Sequence, residues 1–344
     1  MGIPKNAIEV ELRKKILILF KKEKITKFAD KKVFLKALIF FSTFLLMYIL
    51  ILKFDGLLIL MTAYSLLGLS TILLSINIGH EAIHNCLSDN KRLNNIGNLT
   101  FYLAGVNPLI WKVKHLNSHH KHTNIPDLDT DFQQSKIVRL DYNYPKSKFH
   151  SRQNYYIPLL YLLYTFHWTF IKDFSEYRLL YGHSKFNLKL KSIFFLILTK
   201  IFYLLIIVII PFIVHDYNTN VIWGFTFSYL FSGAFFGLFL IPIHINDYAT
   251  IHSNNLPGKI GFIEQLEATP NFSTSNKLLN FLLGGFNHHA CHHLFPSISH
   301  THYPKITPII YEMSTENNFT FHNLTFFQLI KSHYRHLKSL AKSR

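Results

Sequence analysis

The sequence contains little charge and almost no cysteine. Charged residues make up 16% of its 344 residues and hydrophobic residues 49%, whereas about a quarter of a typical soluble domain is charged. The two cysteines, Cys86 and Cys291, form no C-x-x-C pair, which excludes a disulfide framework and a cysteine zinc site. We therefore expect a membrane protein in which both thiols are free and structural.

Acidic residues are also scarce, and the formal net charge is +17. Such a balance suits nucleic acid, an acidic protein or an anionic membrane surface as a partner. Long apolar runs favour the membrane, and the sequence contains no nucleic-acid-binding motif. Residues 1–32 are charged and amphipathic and lack the apolar core of a signal peptide. They predict a helix that lies on the cytosolic membrane surface.

Four apolar runs are long enough to cross a bilayer. They are residues 33–52, 57–79, 193–214 and 221–243. Short polar turns join them into two hairpins, which predicts an all-α membrane protein with four transmembrane helices under a histidine-rich cytosolic cap. We expect Lys36, the one charge of the first run, to snorkel to the membrane surface.

The connections between the runs fix the predicted orientation. The hairpin turns hold almost no Lys or Arg, whereas the N-terminal arm, residues 91–191 and the C-terminal tail are rich in both. The positive-inside rule therefore places both termini and every histidine-rich segment in the cytosol. Two shorter apolar stretches, residues 97–111 and 155–171, predict interfacial or partly embedded helices.

No repeat or linker divides the chain, so residues 1–344 predict a single membrane domain with the amphipathic arm at its start. Its last part, residues 316–344, is a basic amphipathic tail that we expect to lie on an anionic membrane surface. The apolar side chains that predict this membrane-facing surface are Phe326, Phe327, Leu329, Ile330, Tyr334 and Leu337.

Histidine is abundant, with 21 residues, and three clusters stand out. They read HEAIH (80–84), HLNSHH (115–120) and HACHH (289–293). On a helix, side chains four residues apart share a face and converge. Three pairs have this spacing: His80 and His84, His115 and His119, His289 and His293.

The number of clustered histidines indicates more than one metal ion. On a regular helix His120 points about 100° away from His119, whereas His292 is expected beside His289 and His293, three residues after His289. Adjacent histidines suit two metal ions better than one, and tetrahedral zinc takes only three or four protein ligands. Imidazole accepts iron, copper, nickel and zinc, so the ligand type does not select the metal.

Two other functions use similar histidines. The stretch H-E-x-x-H at 80–84 is also the signature of a zinc peptidase. A peptidase would leave two clusters without a role, and intramembrane peptidases of this type add a later Asp-Gly motif, whereas Asp55-Gly56 precedes the histidines. A metal transporter would place its histidines along a path through the spans. The predicted grouping of the histidines at one membrane face argues against a transporter.

The clusters resemble the boxes H-x(3,4)-H, H-x(2,3)-H-H and [HQ]-x-x-H-H of the membrane fatty acid desaturase family. HLNSHHKHTNIPDLDTDF (115–132) resembles the second box with its trailing motif. QLEATPNFSTSNKLLNFLLGGFNHHACHHLFPSISHTHYPKI (265–306) resembles the C-terminal segment of acyl-lipid and acyl-CoA desaturases. The resemblance covers roughly residues 35–315. It implies a diiron, O₂-dependent oxidoreductase that inserts a C=C bond into a fatty acyl chain.

Carried over by position, the resemblance implies nine metal ligands. They are His80, His84, His115, His119, His120, His244, His289, His292 and His293. The residues themselves do not predict His244, which is included only because the family has a ligand after its last span. Asp129 and Asp131 are candidates to hold ligand imidazoles, with a solvated acidic loop as the alternative. Asn124, Gln265 and Asn271 are candidates to brace the cap.

Two positions depart from the family pattern. Glu81 stands where the first box usually has Asp, and a carboxylate there can still orient an imidazole. His289 stands where front-end desaturases usually have Gln, which argues against a front-end assignment. The chain contains no His-Pro-Gly-Gly motif of a fused cytochrome b5. The resemblance thus implies a separate electron donor, an acidic ferredoxin or cytochrome b5 steered by charge. A related diiron lipid hydroxylase, acetylenase or ketolase is the alternative enzyme.

Overall fold

The described chain is built almost entirely of helices. The computed structural model describes residues 5–181, 186–252 and 260–343. Its α-helices are α1 (Lys5–Glu23), α2 (Lys31–Lys53), α3 (Leu57–Leu74), α4 (His80–Ile83), α5 (Lys91–Asn98), α6 (Thr100–Leu103), α7 (Pro108–Lys114), α8 (Gln153–Leu162), α9 (Tyr164–His167), α10 (Asp173–Tyr181), α11 (Phe186–Leu204), α12 (Ile210–Val214), α13 (Asn220–Phe239), α14 (Ile241–His244), α15 (Phe262–Ala268), α16 (Lys277–Leu282), α17 (His289–Leu294), α18 (Tyr303–Asn317) and α19 (Phe326–Lys342). Strands β1 (Asn271–Phe272) and β2 (Asn323–Leu324) pair in parallel. The predicted all-α class is confirmed.

Four helical segments of the described chain are long and apolar enough to cross a membrane. They are Lys31–Lys53, Leu57–Ile83, Leu190–Val214 and Asn220–His244. Each contains nearly all of a predicted span, which confirms an integral membrane protein with two hairpins. Helix α3 packs between α2 and α13. A Cβ added to Gly224 of α13 would lie 2.6 Å from the ring of Tyr64 and 3.1 Å from the backbone carbonyl of Leu60, so the close approach of α13 to α3 favours glycine there.

The two shorter apolar stretches form several short helices. Residues 97–111 contain the end of α5, all of α6 and the start of α7, and residues 155–171 contain most of α8, all of α9 and most of a π turn at Trp168–Lys172. None of these helices, all within the described ranges, is long enough to span a bilayer. The prediction that they do not cross is confirmed, whereas their depth in the membrane stays a prediction.

Lys36 corrects one sequence prediction. Its side chain is only 4% exposed and does not snorkel outwards. Its ammonium lies 3.1 Å from the side-chain oxygen of Asn77 and 2.9 Å from Nε2 of His300. Lys200, in the third span, is also buried and pairs with Asp173 at 2.5 Å. The prediction was wrong because hydropathy gives only the depth of a lysine, whereas here polar groups of the cap lie close to the spans.

The arm and the tail both pack on the cap. Helix α1 buries Leu12 and Ile16 against α15, α17 and α18; residues 1–4 of the predicted arm lie outside the described ranges. Helix α19 buries Leu329 and Leu337 completely, in contact with the core of the cap. The predicted membrane contact is therefore wrong for Leu329 and Leu337, because protein covers them, whereas Phe327 and Tyr334 are 81% and 40% exposed. Contact of these exposed side chains with the membrane stays a prediction. The division into arm, domain and tail stays a prediction.

Candidate metal centre

The nine histidines converge from four separate segments of the chain. Five of them form what we call the first group: His80, His84, His115, His120 and His292. Their ligand nitrogens lie within 4.8 Å of one another. The remaining four form the second group: His119, His244, His289 and His293. All nine side chains that the resemblance implied thus lie at one site.

The second histidine cluster supplies both groups because its helix is not a regular α-helix. His115–His119 form a π turn, in which the amide of His120 donates to the carbonyl of His115 at 3.0 Å. A π turn brings residues five apart together, and Nε2 of His120 lies 3.0 Å from Nε2 of His115. His115 and His119 remain neighbours, with ring centroids 5.5 Å apart, but they belong to different groups. The sequence did not reveal this division.

The third cluster, on α17, lies between the groups. His289 and His293 face each other with ring centroids 4.5 Å apart, as their spacing of four predicts. The expected place of His292 beside this pair is wrong, because the side chain points to the other side of the helix, where its ring centroid lies 4.4 Å from that of His80. Helix α17 therefore contributes one imidazole to the first group and two to the second.

The first group has the geometry of metal ligands and not of a hydrogen-bond network. Nε2 of His115 lies 3.0 Å from Nε2 of each of three neighbours, His80, His84 and His120. An imidazole nitrogen either carries one proton or accepts, so these contacts cannot all be hydrogen bonds. Two nitrogens that bind one metal at right angles, each about 2.1 Å from it, lie about 3.0 Å apart. The residues therefore fit a metal ion.

Burial keeps these imidazoles neutral. Burial lowers the pKa of His84 to about 3. Burial and the neighbouring imidazoles lower the pKa values of His292 and His293 well below the ordinary histidine value. Nε2 of each of these two residues is buried and has no hydrogen-bond partner among the described residues. A neutral imidazole with a free nitrogen lone pair is the form that binds a metal.

The imidazole of His119 is hydrogen-bonded to the carboxylate of Asp129. Its Nδ1 lies 3.1 Å from both carboxylate oxygens of Asp129, which also accept the backbone amides of Asn124 and Asp131 at 2.9 Å. Burial lowers the pKa of His119, but the charge and hydrogen bond of Asp129 outweigh it, and the net shift is upwards. The candidate role of Asp129 as the partner of a clustered imidazole is thus supported by contact.

Asp131 has a different role from Asp129. It lies 3.9 Å from Nδ1 of His119, but one of its oxygens pairs with Lys114 at 2.9 Å and with Lys172 at 2.8 Å. Both lysines also approach the buried Glu176, at 3.3 and 3.7 Å. Sequence reasoning missed this network, although the spacing of four between Lys172 and Glu176 is a helical ion-pair signal.

The candidate bracing residues all contact the backbone of histidine-bearing segments. The Asn124 amide donates to the carbonyl of His244 at 3.1 Å, and the Gln265 amide donates to that of His120 at 2.7 Å. Asn271 accepts a backbone amide of α17 at 2.9 Å. Three side-chain amides therefore form hydrogen bonds to three of the four segments that carry the clustered histidines.

Aromatic rings and inert thiols complete the surroundings. Trp111 stacks on His115 with ring centroids 4.3 Å apart, and Phe286 lies 4.9 Å from His80. Both cysteines are free and buried, as predicted. Burial raises the pKa of Cys291 to about 12 and that of Cys86 well above the ordinary thiol value. Aromatic rings thus cover part of the site, and both thiols stay protonated at neutral pH.

Comparison with known proteins identifies the family of this chain. A family model described as fatty acid desaturase matches residues 55–325. The chain belongs to the fatty acid desaturase family. It is similar to the sn-1 linoleoyl-lipid 6-desaturases of Synechocystis sp. and Arthrospira platensis, each 28% identical over 80% of this chain and over 79% and 76% of the relative. It is also 28% identical to the acyl-lipid (8-3)-desaturase B of Dictyostelium discoideum, over 63% of that relative.

Family membership decides between the functions that the histidines left open. This desaturase is an oxidoreductase of fatty acyl chains, so the zinc peptidase and the metal transporter are excluded. It lies in the membrane and holds a buried histidine cluster capable of binding metal. Since an alkyl C–H bond has no useful acidity, acid–base side chains cannot desaturate a chain, and a redox metal at this cluster is the chemistry that the reaction requires.

Proposed function

We propose that this desaturase uses O₂ and two iron ions, one in each histidine group, to insert a C=C bond into a lipid-linked acyl chain. The observation that carries the proposal is the arrangement of nine histidines, eight buried and His244 half-buried, into groups of five and four. In the first group, three Nε2 atoms lie 3.0 Å from that of His115. All nine histidines would then be metal ligands.

When bound, the iron ions would supply the activation of O₂, which is the oxidant: O₂ takes up one hydrogen from each of two neighbouring methylenes, two electrons from the donor and two protons, and is reduced to two molecules of water. The protein supplies position and a dry site. Asp129 accepts the Nδ1 proton of His119 and so turns Nε2 of that ring towards the second group. Trp111 and Phe286 cover the first group with apolar surface. Excluding water in this way protects a reactive centre from side reactions.

The relatives support a lipid-linked substrate. Their names specify linoleoyl-lipid and acyl-lipid groups and positions such as 6 and Delta(5). We propose the same class of substrate here, with the double bond at carbon 5 or 6. The alternative expectation, a double bond outside this front-end range, comes from His289, which stands where front-end desaturases usually have Gln. Product analysis distinguishes the two expectations.

The orientation and the electron donor belong to the same proposal. The lysine-rich arm, cap and tail favour a cytosolic active site and cytosolic termini. The chain's net charge of +17 favours an acidic donor protein, a ferredoxin or a cytochrome b5. The donor would approach from the cytosolic side of the cap.

The experiment is expression in a host of simple lipid composition, with several acyl chains fed in turn. Fatty acids from cells with the wild-type protein and with His292→Ala are compared by mass spectrometry. We expect a wild-type product that has lost two hydrogens and that is absent from the variant. A product that has gained oxygen would indicate the hydroxylase or ketolase alternative. Identical profiles for the two proteins would contradict desaturation.

A further inference from the structure

Three buried side chains, those of Lys36, His300 and Glu81, are hydrogen-bonded in series, and this series ends beside the first group. The ammonium of Lys36 lies 2.9 Å from Nε2 of His300, and Nδ1 of His300 lies 2.8 Å from Oε1 of Glu81. The three side chains are 4%, 3% and 3% exposed. Glu81 directly follows His80, so this series of side chains links the first membrane span to the histidines.

The contacts show which nitrogen atoms of Lys36 and His300 carry protons. An ammonium has three N–H donors and cannot accept. Three acceptors surround that of Lys36: the side-chain oxygen of Asn77 at 3.1 Å, the carbonyl of Asn280 at 3.2 Å and Nε2 of His300. His300 therefore accepts at Nε2 and carries its proton on Nδ1, which donates to Glu81. The result is a buried ion pair bridged by a neutral imidazole.

These three side chains connect three parts of the fold next to α4. Lys36 belongs to the first span, Glu81 to α4, and His300 to the segment after the third histidine cluster. Asn77 reinforces the junction, because its amide donates to the carbonyls of Leu73 and Leu282 at 2.9 and 2.8 Å. Helix α4 is the last turn of the continuous helical segment Leu57–Ile83 and directly follows the π turn at Ser75–Gly79. The carbonyls of a last turn lack partners within the helix, so contacts with other elements help to fix its orientation.

We propose that Lys36 is a positioning residue of the metal centre. Its charge, transmitted through His300 to Glu81, fixes α4 and thereby the imidazoles of His80 and His84. The inference rests on the proposed role of these two histidines as metal ligands. Loss of the ammonium leaves the buried carboxylate without a counter-charge and three acceptors without their donor. Loss of both charges together leaves no uncompensated charge, so the two changes are coupled.

The test measures how fast the purified protein loses iron to a chelator, without substrate or electron donor. The variants are Lys36→Met, Glu81→Gln, the double variant, and Lys53→Met as the control, since Lys53 is an exposed lysine of the same helix. We expect Lys36→Met to lose iron at least tenfold faster than wild type, and Lys53→Met to match wild type. In the Glu81→Gln background, Lys36→Met should change the rate less than threefold.

Several results would overturn the inference. Equal rates for Lys36→Met and Lys53→Met would do so, and so would a tenfold effect that persists in the Glu81→Gln background. The second result means a packing role without charge coupling. If Lys36→Met is not recovered folded, the comparison of the double variant with Glu81→Gln carries the test. A wild-type protein that holds iron but makes no unsaturated product contradicts the proposed function alone, whereas one that binds no iron overturns both.

Discussion

Asp129 holds His119 through both of its carboxylate oxygens, each 3.1 Å from Nδ1 of the ring. A carboxylate only accepts, so this contact places the ring proton on Nδ1 and leaves Nε2 free. The ring of His119 also lies beside two other members of the second group. Its centroid is 4.7 Å from that of His244 and 5.0 Å from that of His293. One carboxylate thus sets both the tautomer and the direction of this imidazole.

Replacement of Asp129 by Asn should weaken metal binding by roughly 10- to 100-fold. An amide has one oxygen, which cannot accept from His119 and from the two backbone amides that Asp129 now holds. Iron titration of the metal-free protein measures the change. Asp127→Asn, an exposed neighbour in the same loop, is the control and should bind like wild type. Equal affinities for both variants would show that the carboxylate does not support the site.

His120 and His122 form a matched pair in one loop. Nε2 of His120 lies 3.0 Å from that of His115, whereas His122 belongs to neither group. We expect His120→Ala to lower the yield of unsaturated product at least 100-fold, because it removes a ligand. His122→Ala should retain activity within about threefold. Fatty acid analysis of whole cells, with protein amounts equalised by immunoblot, measures both. Similar losses for both variants would contradict the assignment of the first group.

The buried ion-pair network predicts a large difference between two lysines. Lys114 is fully buried and pairs with Asp131 and Glu176. Its replacement by Met leaves these carboxylates short of a cation and should destabilise the protein by about 3–5 kcal/mol. Lys15 pairs with Glu316 at the surface, and Lys15→Met should cost less than about 1 kcal/mol. Chemical unfolding in detergent measures both, and equal effects would contradict the prediction.

The metal-free protein should lose stability as the pH falls below about 6.5, the ordinary histidine pKa. Burial lowers the pKa of His84 to about 3, so the unfolded state binds more protons than the folded state in this range. Each such histidine lowers the free energy of unfolding by roughly 1.4 kcal/mol between pH 8 and 5.5. The pKa of His119 is shifted upwards, so its contribution has the opposite sign. A thermal midpoint that is constant or rises towards pH 5.5 would contradict this.

Some features of the site followed directly from the sequence. Hydropathy located the four spans, and the spacing of four predicted that His289 and His293 face each other. These features follow from local periodicity, which a sequence records. His244 has no partner at helical spacing, so only the family resemblance indicated it. Its place beside His289 comes from contact between distant segments.

Other features could not be predicted because they depend on tertiary contacts. The π turn at His115–His119 sends His119 and His120 to different groups, and an ideal helical wheel contains no such turn. Lys36 looked like a residue at the membrane edge until the structure placed Asn77 and His300 beside it. The apolar surface of α19 was correctly identified, but the protein core, and not the lipid, covers Leu329 and Leu337.

Iron K-edge X-ray absorption of the purified wild-type protein, with the iron content determined on the same sample, tests the metal centre most directly. Two iron ions per chain and a first shell dominated by nitrogen at about 2.1 Å are expected from two groups of imidazoles. Fewer than two iron ions per chain after reconstitution, or a first shell that contains sulfur, would contradict a diiron site held by these nine histidines.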